Sequence, residues 1–221
     1  MLFIPFCPNA TGKYRYKYRK ESSVIMTFYQ FGRGVCRFFI PLFFHFRVEG
    51  LENVPDDRGI ILCSNHRSYF DPVFLGIKLK RQLRFMAKDS LFHKPVLGVI
   101  IKHLGAFPVK RGKGDTQAID NAVKTVQDGG LFAIFPEGTR SKTGELGKPK
   151  SGAVLVAAKT GGDIIPCCIK FEGKLHFRSK VTVTYGKVIK NEELGVHEVS
   201  PTELKAASKM MMSKIAELYE S

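Results

Sequence analysis

A histidine and an aspartate stand five positions apart in Ser-Asn-His-Arg-Ser-Tyr-Phe-Asp-Pro, residues 64–72. A carboxylate bonded to one imidazole nitrogen fixes the ring's tautomer and stabilises its protonated form. The other nitrogen is then free to take a proton from a hydroxyl. His66 is therefore a candidate general base, with Asp71 as the residue that orients it. Helix neighbours lie three and four residues apart, so a regular helix would not bring this pair together. A strand-to-helix turn would, with Asp71 capping the next helix and Pro72 in its first turn. The pair alone is a weak signal, because an Asp-Pro helix start has a capping role in any protein.

A second cluster is Phe-Pro-Glu-Gly-Thr-Arg-Ser, residues 135–141. Gly138 permits a turn with exposed backbone amides. Arg140, with the hydroxyls of Thr139 and Ser141, offers donors suited to a phosphate. Glu137 could neutralise or aim the arginine, or hold a substrate hydroxyl. The bland reading is a polar turn with an internal Glu–Arg pair. A third segment, residues 105–112, sets Arg111 in a glycine-flanked loop. A fourth, Lys-Pro-Lys-Ser-Gly at residues 148–152, places Lys150 at a helix start, where the helix dipole disfavours cations unless an anion docks. Either of these could be a solvated basic turn.

Positioning such groups requires alternating strands and helices. Gly59–Ser64, Leu131–Phe135, Asp163–Phe171 and Val181–Tyr185 read as strands. Helices are expected over Pro95–Leu104, from an Asp115 cap to the stop at Gly129–Gly130, and over Gly152–Thr160. Ser200, Pro201 and Glu203 form a capping box for a last helix, in which Leu204, Met211, Ile215 and Leu218 make a core-facing stripe. This rhythm predicts an α/β fold: a mainly parallel central sheet flanked by helices. Ligands in such folds gather at the carboxyl ends of strands, where both principal clusters fall.

The chain has 221 residues, 35 Lys and Arg against 20 Asp and Glu, and a net charge of +15. Such an excess calls for an anionic partner without naming it. Residues 1–25 carry the basic, tyrosine-interleaved run 13–20 and are read as a flexible tail or a misassigned start. Residues 26–46, rich in Phe with Arg33 and Arg37, have too short an apolar run to span a bilayer. They read as a membrane-interfacial helix whose arginines reach lipid phosphates. Residues 47–221 form the remaining domain. The five cysteines (Cys7, Cys36, Cys63, Cys167 and Cys168) show no disulfide or zinc spacing and read as free buried thiols, so no thiol nucleophile is expected.

In combination these motifs, with Ile165–Pro166 after them, resemble the glycerolipid acyltransferase family, whose central members are lysophosphatidic acid acyltransferases. The resemblance covers roughly residues 26–221, with Lys110 where an aspartate often precedes the arginine. It implies that His66 is the base for the acceptor hydroxyl and Asp71 its partner. It further implies that Arg111, Glu137, Gly138, Thr139, Arg140 and, more weakly, Lys150 bind the glycerol phosphate. The implied reaction moves an acyl group from acyl-CoA or acyl carrier protein to 1-acyl-glycerol-3-phosphate, with no permanently bound cofactor and no metal. The expected partners are an anionic membrane surface, a lysophospholipid acceptor and the thioester donor; the expected location is peripheral, on a cytoplasmic membrane face. The residues name no oxyanion stabiliser, and a backbone amide near Asn65–His66 is the reading left open. Another lysolipid is an alternative acceptor. A nucleic-acid-binding module would explain the basic run 13–20 but not residues 135–141, and no nucleic acid partner is expected.

Overall fold

A computed structural model describes residues 23–110 and 115–221, with side chains from residue 28 onward. The elements in chain order are α1 (Ser23–Phe43), β1 (His45–Glu49), β2 (Ile60–Ser64), α2 (Asp71–Gly76), β3 (Leu83–Lys88), α3 (Pro95–His103) and β4 (Ala106–Val109). They continue with α4 (Thr116–Gln127), β5 (Leu131–Ile134), α5 (Gly152–Thr160), β6 (Asp163–Lys170), β7 (Lys180–Tyr185) and α6 (Pro201–Glu220). The seven strands form one sheet in the order β1-β7-β6-β2-β5-β3-β4. Every pairing is parallel except β6 with β7. The α/β fold with a mainly parallel sheet is thus the one expected.

Two apolar clusters sandwich this sheet because successive strand residues face opposite sides. Ile61 and Cys63 of β2 face a cluster with α4, α5 and α6, centred on Ala122, Val154 and Met211. Ile60 and Leu62 face a second cluster with Ile40 of α1 and Phe74 and Leu75 of α2. The last helix has its expected cap: Ser200 Oγ accepts from Glu203 N at 3.3 Å, and Glu203 Oε2 accepts from Ser200 N at 3.0 Å. Met211 and Ile215 of the expected stripe are fully buried, and Leu204 packs at the edge of the same cluster.

Three strands lie outside the expected set: β1, β3 and β4. Each is only partly buried, and Pro108 in β4 is tolerated because that strand closes the sheet edge. The helix expected over residues 26–46 ends at Phe43, and His45 and Phe46 already pair with Lys180 and Val181 of β7.

The α1 arginines have backbone partners within the protein. Arg33 donates to the carbonyls of Leu79 and Lys80 at 2.7 and 2.9 Å, and Arg37 donates to that of Ile77 at 2.7 Å. Carbonyls at and beyond a helix end lack intrahelical partners, and a guanidinium satisfies them well. The arginines therefore dock α1 onto the end of α2. Among the described residues no helix is long and apolar enough to cross a membrane. The basic run 13–20 lies outside the described residues.

Candidate active site

The chain leaves β2 and β5 through adjacent loops at the carboxyl end of the sheet. After β2 it crosses to α2 on one face, and after β5 to α5 on the other. A crevice opens where two such crossovers diverge. The loop of residues 65–70 and the loop of residues 135–151 line it.

His66 is set by contacts from both loops. Its Nδ1 is 2.7 Å from Asp71 Oδ2, which fixes Nδ1 as the protonated nitrogen if the carboxylate is ionised. The ring stacks on Phe135, with centroids 4.1 Å apart and planes 18° from parallel. Its side chain is 12% exposed, and Nε2 meets no hydrogen-bond partner among the described residues. The ring thus presents one unengaged basic nitrogen to the crevice.

Asp71 does not cap α2. Phe70 occupies the cap position without a side-chain cap bond, and Asp71 is the first helical residue. Its fully buried carboxylate turns back to the preceding loop, where Oδ2 also accepts from Arg67 N at 2.6 Å and Ser68 N at 2.8 Å. These contacts wrap residues 66–68 around one oxygen, which makes a spacing of five work. Oδ1 is equally buried and has no hydrogen-bond partner among the described residues.

Glu137 departs from its expected roles. It is 7% exposed, and its Oε1 accepts from His66 N at 2.9 Å while Oε2 accepts from Gly147 N at 3.0 Å. It does not pair with Arg140. The carboxylate ties the His66 backbone to the far end of its own loop, and Ser141 N adds a bond to His66 O at 2.8 Å. The amide of His66 is therefore committed to Glu137 and is no oxyanion donor, which removes half of the reading left open for that amide.

Gly138 turns the chain with φ +72°, so Glu137 points inward while Thr139 and Arg140 are exposed. The guanidinium of Arg140 lies over the Tyr69 ring, 3.5 Å from its centroid. A Cβ at Gly138 would meet Lys150 Nζ at 2.8 Å, so the Lys150 side chain crosses the turn. Arg140 and Lys150 thus stand on the same loop beside the His66 crevice. Arg111 lies outside the described residues.

Two functional contacts escaped the sequence reading. Tyr69 backs Arg140, and an aromatic residue inside a polar loop was the available signal. Arg67 turns away from the crevice: it donates to the carbonyls of Phe171 and Gly173 and to Tyr219 Oη, and its guanidinium covers the Phe171 ring at 4.2 Å. Cys63, Cys167 and Cys168 are buried in strands, and burial pushes their thiols up, Cys168 to about 12. None is poised as a nucleophile. Among the described residues no group of three or more His, Cys, Asp or Glu gathers as metal ligands would.

The family model described as Acyltransferase matches residues 45–170. The chain belongs to the acyltransferase family. The match runs from the first strand to the end of β6 and contains both crevice loops. A 1-acyl-sn-glycerol-3-phosphate acyltransferase of Bacillus subtilis is 29% identical over 86% of this chain and 96% of its own. A chloroplastic 1-acyl-sn-glycerol-3-phosphate acyltransferase of Arabidopsis thaliana is 35% identical over 60% of this chain, but the match spans only 38% of that longer protein. The solved 1-acyl-sn-glycerophosphate acyltransferase of Thermotoga maritima superposes with a TM-score of 0.64 at 27% identity. It covers 88% of this chain and 80% of its own. This acyltransferase-family chain therefore shares its fold with the solved Thermotoga protein and sequence similarity with relatives named for the same reaction.

Proposed function

We propose that this chain transfers a fatty acyl group from a thioester donor, acyl-CoA or acyl carrier protein, to the free hydroxyl of 1-acyl-glycerol-3-phosphate, giving phosphatidic acid. The observation that carries the reading is His66: one nitrogen is locked to buried Asp71 and the other is unengaged in the crevice. The names of the Bacillus, Arabidopsis and Thermotoga relatives support the acceptor.

In this mechanism the acceptor hydroxyl donates its proton to His66 Nε2 as its oxygen attacks the thioester carbonyl carbon. The C–S bond then breaks, the ester C–O bond remains, and the imidazolium returns a proton to the departing thiolate. Asp71 stabilises the imidazolium through Nδ1–H, and Phe135 keeps the ring plane fixed. General-base assistance of this kind contributes about 10²–10⁴ in rate. Arg140 and Lys150, with Arg111 as a third cation, hold the acceptor phosphate, and Thr139 donates to it. Glu137 acts as the clamp that sets the two loops in register, not as a ligand.

A membrane surface is the proposed partner of the outer faces of α1 and α3. Phe31 and Phe38 of α1 are 71% and 67% exposed, and Leu42, Phe39 and Phe43 extend the same surface. Val96 and Val99 of α3 and Phe177, whose ring meets Phe43 at 6.0 Å, continue it. An apolar surface of this extent marks an interaction site. Because Arg33 and Arg37 are bound to carbonyls, insertion of the aromatics is the proposed anchor, and the chain's positive charge supplies attraction to anionic lipid.

The test is acyl transfer by purified protein in mixed micelles, with both donors and a panel of lysolipids. Phosphatidic acid formed by the wild type and lost in His66→Ala is the expected result. Transfer to another lysolipid alone would keep the mechanism and replace the acceptor. No transfer to any acceptor would sink the reading.

A further inference from the structure

One face of the sheet packs under α1, proposed above to meet a membrane, and a second basic site lies on the other face. α1 packs on the face that contains Ile40, Phe74 and Val183. On the opposite face a cavity of about 570 Å³ opens between residues 143–145, the β6–β7 connection and the end of α6. Lys170, the last residue of β6, is paired with Thr182 of β7, and Lys180 lies two residues along on the same face. Both lysines are exposed, and neither side chain makes an ion pair or hydrogen bond among the described residues. Arg67 forms the inner wall, its donors already committed to two carbonyls and Tyr219. Glu145 and Glu172 stand at the rim, so three cations face two carboxylates. That excess of one positive charge suits one phosphate group.

Arg67 follows His66 directly in the chain and lines this cavity, and residues 143–145 belong to the same loop that borders the crevice. The proposed reaction brings two anionic substrates to one histidine. The acceptor has its acyl chain in the bilayer and its phosphate beside Arg140 and Lys150. The donor is water-soluble, and both of its forms carry the thioester on a phosphopantetheine arm. We propose that the cavity holds the phosphate of that arm, with Lys170 and Lys180 as the cations and the Thr182 hydroxyl as a donor. The arm then passes Arg67 to deliver the thioester to His66. Lysines act here as point charges on flexible stems, which suits a phosphate that is released after every turnover. The inference rests on the acyl-transfer reading above.

The test compares binding of phosphopantetheine with that of pantetheine to the full chain by calorimetry, so it needs no turnover. The wild type is expected to prefer the phosphorylated compound by roughly tenfold or more, the worth of one charge-assisted hydrogen bond. The preference should collapse in Lys170→Ala/Lys180→Ala and survive in Lys170→Arg/Lys180→Arg. It should also survive in Lys209→Ala, an exposed position on α6. Equal binding of the two compounds to the wild type, or a preference that outlasts the double alanine variant, overturns the proposal. In transfer assays the double alanine variant should raise KM for acyl-CoA and for acyl carrier protein alike. A rise with only one donor assigns the lysines to a part outside the shared arm and also overturns it. If no acyl transfer occurs but the lysine-dependent phosphate preference remains, the site stands and the enzymatic reading fails. Transfer without that preference gives the reverse.

Discussion

Replacing Glu137 by glutamine separates a structural clamp from a substrate ligand. In the native crevice both carboxylate oxygens accept backbone N–H groups, from His66 at 2.9 Å and Gly147 at 3.0 Å, and the residue is 7% exposed. An amide has one acceptor end only, so in Glu137→Gln either His66 N or Gly147 N faces an NH₂ group. Losing one bond to a charged acceptor costs about 1.5–3 kcal/mol, and a surviving neutral bond is roughly half as strong as a charged one. A loss near 3 kcal/mol is expected, which for a domain of this size lowers Tm by about 6–12 °C.

The assay pairs urea denaturation with acyl-transfer kinetics below the variant's melting range. The clamp predicts that stability and kcat fall together, since the His66 backbone loses its anchor while the acceptor phosphate keeps Arg140 and Lys150. If stability moves by less than about 0.5 kcal/mol while KM for the acceptor rises sharply, Glu137 contacts substrate and the clamp argument is wrong.

Three further outcomes test other parts of the structure. Asp71→Asn removes the charge that stabilises the His66 imidazolium and should lower kcat by about 10²–10⁴; a kcat within a few-fold of wild type would refute the dyad. Tyr69→Ala removes the ring beneath Arg140, worth about 0.5–1 kcal/mol at an exposed site, so KM for the acceptor should rise about two- to fivefold, and Tyr69→Phe should restore it. Glu203 is held below the usual carboxylate range, first by the Ser200 backbone N–H and then by that of His197. A depressed carboxylate contributes stability above its unfolded pKa and loses it as pH falls through the folded value. The gap in urea midpoint between wild type and Glu203→Gln should therefore be widest at neutral pH and close in acid.

The strands that run through both apolar clusters were legible as uninterrupted apolar runs, because a strand buried on two faces has no polar alternation to hide it. β1, with His45, Arg47 and Glu49 exposed, and β3, with Arg84 and Lys88 at its ends, lack that signature and are defined by their pairings. The His66–Asp71 juxtaposition was readable from residue types, but the reason for it was not. Asp71 serves the loop before it and leaves its own helix uncapped, a choice made by the N–H groups of Arg67 and Ser68. Glu137 and Arg140, three residues apart, look like an ion pair until the left-handed turn at Gly138 sends one inward and the other out. Arg33 and Arg37 show the same ambiguity: a lipid phosphate and a helix-end carbonyl both attract guanidinium, and only packing distinguishes them.

The position of His66 follows from topology more than from any single contact. β2 and β5 are neighbours in parallel register from Ile60↔Leu131 to Cys63↔Ile134, yet their crossovers depart to opposite faces of the sheet. His66 therefore takes Asp71 from its own crossover and Phe135 and Glu137 from its neighbour's. A one-residue slip between the two strands would carry Ile61 and Cys63 to the wrong face and part the ring from both supports. α1 packs beside α2 on one face of the sheet, and Arg67, next to His66 in the chain, lines the cavity that holds Lys170 and Lys180. On the proposed reaction, an acceptor drawn from a bilayer and a donor drawn from water would approach one imidazole from these two sides. On this argument, cavity-forming substitutions such as Leu62→Ala should reduce activity chiefly by lowering the folded fraction, leaving donor and acceptor KM values close to those of the wild type.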